Sequence, residues 1–76
     1  MNALIKTEIL SPTVWGEEAY TIELPALYLD DRIHLSFTIP TFGKIKGLFK
    51  VVDHLHVYDS SAGVPYTQRV VLEVVD

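Results

Sequence analysis

The sequence predicts an all-β domain: a small barrel or sandwich of five or six antiparallel strands. Three observations predict it. Apolar and polar residues alternate with a period of two through most of the chain, which marks half-buried strands. Turn-forming residues punctuate the alternation at Ser11-Pro12, Pro25, Pro40 to Gly43, and Asp59 to Pro65. No segment carries an apolar stripe of useful length at the helical period. With 76 residues the chain makes a single β domain, spanning 1–76.

The strands follow in order. Ala3 to Leu10 sets Ala3, Ile5, Thr7 and Ile9 on one face, with Lys6 and Glu8 on the other. Ala19 to Leu24 groups Tyr20, Ile22 and Leu24 opposite Thr21 and Glu23, and Pro25 ends it. Pro25 to Asp31 fits a short strand or one helical turn, anchored by Leu27 and Leu29. The alternation is strictest in Arg32 to Ile39, where Ile33, Leu35, Phe37 and Ile39 oppose Arg32, His34, Ser36 and Thr38. Pro40-Thr41-Phe42-Gly43 reads as a turn. Lys44 to Tyr58 alternates throughout and exceeds the mean strand of about 5–6 residues, so a bend is expected, with Gly47 its natural place. Asp59 to Pro65 forms a loop, and Tyr66 to Val75 returns as a strand that completes a hairpin.

Composition narrows the function classes. The chain has no cysteine, so disulfides, thiolate metal sites and thiol nucleophiles are excluded, and the redox compartment stays unread. No apolar run nears the roughly 20 residues of a membrane span, and no signal peptide is expected at the N-terminus. The formal charge is −4, against a dedicated nucleic-acid binder. It is lopsided: residues 1–38 hold two basic and six acidic groups, residues 39–76 four of each. Hydrophobic residues make up 49% of the chain, yet a domain this small buries only about 60% of the surface of its unfolded chain. That excess points to a partner surface.

Candidate chemistry is sparse. His54-Leu55-His56 would put two imidazoles on one strand face, able to share a metal with His34 as third ligand. The pattern resembles the metal motif of cupin barrels, but no glutamate follows at that family's spacing. Two solvated histidines are the simpler reading, and no cofactor is assigned. Ser60 and Ser61 lack the setting of a nucleophile elbow, and Glu17-Glu18 and Asp30-Asp31 read as solvated pairs. No catalytic residue is assigned, and the chain reads as a non-enzyme. Asp53 falls on the apolar face between Val51 and Leu55, and Arg69 on the facing strand is its expected partner in a structural ion pair; alternatively this strand end leaves the core and Asp53 lies at its rim. Lys44, Lys46 and Lys50 share a face with His54, His56 and Tyr58, which suits a small barrel tracking a nucleic-acid strand. Lysines on an exposed strand also guard against edge aggregation, and that reading is preferred.

The last strand is apolar on both sides. Val70, Leu72 and Val74 point one way, Val71 and Val75 the other. A single small module covers one face of each strand, so the second face needs a cover. Trp15 and Leu10 in the N-terminal loop are one candidate for part of that cover and a neighbouring subunit is the other; Val71 and Val75 with Leu48 and Val52, together with the Trp15 region, are the expected protein interface.

The hairpin Leu48 to Tyr58, the loop, and Gly63 to Val74 resembles the terminal hairpins of β-barrel domains in bacteriophage tail and baseplate hub proteins. There an apolar strand carrying a histidine precedes a glycine-containing turn and a Thr/Arg/Leu-rich strand. The resemblance covers under half of the chain and implies a small virion component of a phage tail, neck or capsid. It implies no catalytic residue. The expected function is structural, through contact with protein partners or copies of itself. The alternative is nucleic-acid binding through the Lys44/Lys46/Lys50 strip.

Overall fold

The computed structural model describes residues 3–40 and 42–75. Among these residues five strands form, each delimited by residues that break a ladder. β1 (Ile5–Ser11) stops before Pro12 and β2 (Gly16–Leu24) before Pro25, since proline has no N–H to donate. β3 (Arg32–Ile39) stops before Pro40, and β4 (Gly43–Tyr58) follows a turn in which the Phe42 amide donates to Ile39 O at 3.1 Å. Thr41 of that turn lies outside the described residues. β5 (Tyr66–Val74) returns after the loop. Gly16 and Gly43 adopt φ of +93° and +113°, where a side chain is strained.

The segment between β2 and β3 is neither strand nor helical turn. Leu27 anchors it in the core as expected, while Leu29 is exposed. Its tip closes where Asp31 Oδ2 accepts the Tyr28 amide at 2.8 Å and Asp30 takes a left-handed φ of 69°. Asp30 N and Asp31 O then bond Val51 O and Val51 N, extending the ladder past the start of β3.

The strand order is β2-β1-β5-β4-β3. Three pairs are antiparallel, and β1 runs parallel to β5 with Ile9 beside Val70. The sheet is thus mixed rather than wholly antiparallel. Direction reverses at each of the four connections, so the first and last strands meet pointing the same way. The sheet curls into a half-barrel with β2 and β3 at its free edges. The concave face carries the core, including Ile9, Leu35, Ile45, Phe49, Val51, Val70 and Leu72. Trp15 reaches over this face from the β1–β2 turn, edge-on to Phe37 and Phe49 at centroid distances of 5.6 and 6.5 Å.

The bend in β4 lies at Val52, not Gly47. Val51 faces Leu72 and Asp53 faces Val71, so Val52 is an extra residue. Such a bulge shifts the alternation by one position. Before it, odd-numbered residues Ile45, Phe49 and Val51 face the core. After it, His54 and His56 turn to the concave side, opposite Val70 and Gln68. Asp53, Leu55 and Val57 turn outward. Asp53 therefore never enters the core, and the period of two does not run through the whole strand.

Candidate functional site

The histidines divide between the two faces of the sheet. His34 lies on the convex side of β3 opposite Leu48, while His54 and His56 lie on the concave side. The three-histidine metal set therefore does not assemble. Among the described residues no group of three or more His, Cys, Asp or Glu could hold a metal ion.

On the concave side the two rings join an aromatic cluster. His54 and His56 stand 5.2 Å apart between centroids, with Tyr28 5.1 Å from His56 and Tyr66 5.8 Å from it. His56 Nε2 lies 3.0 Å from Leu27 O, and Nδ1 lies 2.8 Å from Tyr66 Oη. A carbonyl only accepts, so Nε2 carries a proton and donates it to Leu27 O, while Nδ1 shares a hydrogen bond with the Tyr66 hydroxyl. Both nitrogens are spent on structure, tying the β2–β3 segment to the hairpin. Among the described residues His54 Nδ1 is buried without a hydrogen-bond partner.

Buried Gln68 works beside this cluster. Its Nε2 donates to Thr7 Oγ1 at 2.9 Å and Pro25 O at 2.8 Å, and its Oε1 accepts from Leu27 N at 3.0 Å. Ser61 donates to Asp59 Oδ1 from its hydroxyl at 2.6 Å and from its amide at 3.0 Å. The hydroxyl, and then the amide, hold the Asp59 carboxyl below its ordinary value of 3.8. A depressed carboxylate stabilises the folded state above its unfolded value, and that contribution fades as pH falls through the folded one. The loop is thus self-closed, with Ser61 engaged rather than poised as a nucleophile.

The convex side holds most of the expected interface. Leu10 and Val71 lie side by side on it, half-buried, with Asp53 beyond Val71. Leu48 is exposed opposite His34. Val52 is half-buried in the bulge, and Val75, also half-buried, follows β5 with its amide bonded to Leu48 O at 2.9 Å. Trp15 is half-buried, packs against the chain's own core and donates from Nε1 to Glu18 O at 2.9 Å. The bulge exposes two residues that strict alternation assigns to the core: Leu55 at 58% and Val57 at 41%. An open depression beside them is lined by Lys6, Glu8, Thr67 and Arg69.

The expected Asp53–Arg69 pair is replaced. Arg69 stands opposite Leu55 and reaches across the parallel pair instead, with Nε 3.3 Å from Glu8 Oε1. Both side chains are about half exposed, so the contact is worth at most about 1 kcal/mol. The lysine strip is also altered. Lys44, Lys46 and Lys50 stay on the convex side, where Arg32 faces Lys50, but His54, His56 and Tyr58 are carried away from them by the bulge. Lys50 Nζ lies 3.3 Å from Asp30 Oδ1, and Glu73 stands opposite it on β5.

Among the described residues no helix is long and apolar enough to cross a membrane. Comparison of the chain with protein-family models, curated proteins and solved structures finds no match.

Proposed function

We propose that the chain is a non-enzymatic structural subunit of a larger protein assembly, of the kind a phage tail, neck or capsid contains. One observation carries the reading. The sheet is open: among the described residues no strand pairs with the outer side of either edge strand, of nine and eight residues. A free edge is a row of unpaired N–H and C=O groups, which a neighbouring strand satisfies. The exposed Leu55 and Val57 on the convex face support the same reading, as does the likeness of the β4–β5 hairpin to phage hub hairpins.

Size-exclusion chromatography with light scattering tests it. Assembly is expected to appear as a mass above that of one chain that falls on dilution. A chain that stays monomeric at every concentration, with Val71→Lys and Leu55→Lys both harmless to solubility, sinks the proposal.

A further inference from the structure

We propose that the chain associates with itself head to tail, β2 of one copy adding antiparallel to β3 of the next. This deepens the assembly reading, on which it rests, by naming the partner as a second copy.

The charges of the two edges carry the argument. β2 holds Glu17, Glu18 and Glu23 and no lysine or arginine. β3 holds Arg32 and no carboxylate, and the convex side of β4 next to it adds Lys44 and Lys46. Of the two carboxylates just before β3, Asp30 is cancelled by Lys50, while Asp31 accepts the Tyr28 amide and keeps its charge, which leaves Arg32, Lys44 and Lys46 to make this edge positive on balance. Opposite charges across a strand pair stabilise it and like charges oppose it. A two-fold contact would set β2 on β2 or β3 on β3 and bring like charges together. Setting β2 on β3 brings opposites together. Edge charges often serve to prevent any pairing at all. Charges of opposite sign on the two edges do something narrower, keeping each edge from its own copy while leaving the two edges open to one another.

Direction and length agree with this. β1 is antiparallel to β2 and parallel to β5, while β4 is antiparallel to both β5 and β3. It follows that β3 runs opposite to β2. A neighbour that keeps its concave face on the same side and its strands in the same sense presents β2 antiparallel to β3. In one register the strands overlap completely, from Gly16 opposite Ile39 to Glu23 opposite Arg32. That register sets Tyr20 beside Leu35 and Ile22 beside Ile33, all on concave positions, and places Glu23 against Arg32 on the convex side. A slip of one residue would put these apolar groups on opposite faces. Because the contact joins two different edges, it repeats from copy to copy and closes a ring or extends a fibre.

The absence of cysteine makes a cross-linking test clean. Ala19 and Ser36, both exposed, face each other in the proposed register. An oxidised mixture of the Ala19→Cys and Ser36→Cys variants is expected to give a covalent pair, and each variant alone none. Glu23→Arg and Arg32→Glu are each expected to weaken self-association about tenfold, and the double reversal to restore it to within about threefold. Urea unfolding of the dilute variants establishes that each still folds. An oligomer that ignores both reversals and forms no cross-link overturns the edge pairing and leaves the assembly reading standing. A chain that never associates overturns both.

Discussion

Gln68 shows how one side chain can hold a length of chain that has no ladder of its own. It is 1% exposed, and its three hydrogen bonds reach 41, 43 and 61 positions along the sequence. Replacing it by alanine leaves the Leu27 amide and the Pro25 carbonyl buried without partners. Each such group costs about 1–3 kcal/mol. Gln68→Ala is therefore expected to lower the unfolding free energy in urea by about 3 kcal/mol. A loss below about 1 kcal/mol would mean that Leu27 and His56 hold the segment without it. Nothing near Gln68 in the sequence signals this role, because its partners come from β1 and the β2–β3 segment. The His56–Tyr66 contact was closer to legible, since the hairpin itself is written in the alternation on either side of Asp59 to Pro65.

At the scale of the element, the bulge in β4 decides which face each functional candidate occupies. Its only trace in the sequence is Asp53, a carboxylate between Val51 and Leu55 where strict alternation calls for an apolar residue. Read as a buried charge in need of a partner, it leads to Arg69. Read as a slip in phase, it leads to the structure. The slip makes an unusual prediction. Deleting Val52 removes the extra residue and leaves Val51 inward, Asp53 outward and His54 inward. That deletion is expected to keep cooperative unfolding at a cost of about 1–2 kcal/mol, through loss of the local bend. Deleting Leu55 inverts His56 and Tyr58 and breaks both His56 hydrogen bonds, so it is expected to abolish amide protection in β5. Equal effects from the two deletions would contradict the assigned bulge. Trp15 marks a second element-level effect. The curl of the sheet brings Phe37 and Phe49 to it and makes it a half-buried lid on the core.

At the scale of the whole molecule, an open sheet with oppositely charged edges links stability to concentration. Association that engages only the folded chain stabilises it by mass action. The thermal midpoint is therefore expected to rise with protein concentration, and to rise less at high salt, where the attraction between exposed edges is screened. A midpoint that ignores both would mean the edges stay free. The unequal division of charge along the chain takes on a spatial meaning here. The acidic surplus of the first half includes the three glutamates of β2, while the lysines of the second half line the opposite end of the sheet beside β3.

The alternation of side chains settled the all-β class, the strands β1 to β5 to within a few residues, and the β4–β5 hairpin. These are local matters, because a strand displays its two faces in consecutive residues and prolines end it. Strand order, the parallel meeting of β1 with β5, the phase slip at Val52 and the exposure of Leu55 and Val57 belong to the tertiary structure. Each depends on which strand lies beside which, and hydrogen bonds between strands distant in sequence leave no periodic mark on either one. The hydrophobic excess visible in the composition is real, but only the curl of the sheet decided where it surfaces. Part of what looked like core in β4, Leu55 and Val57, became surface.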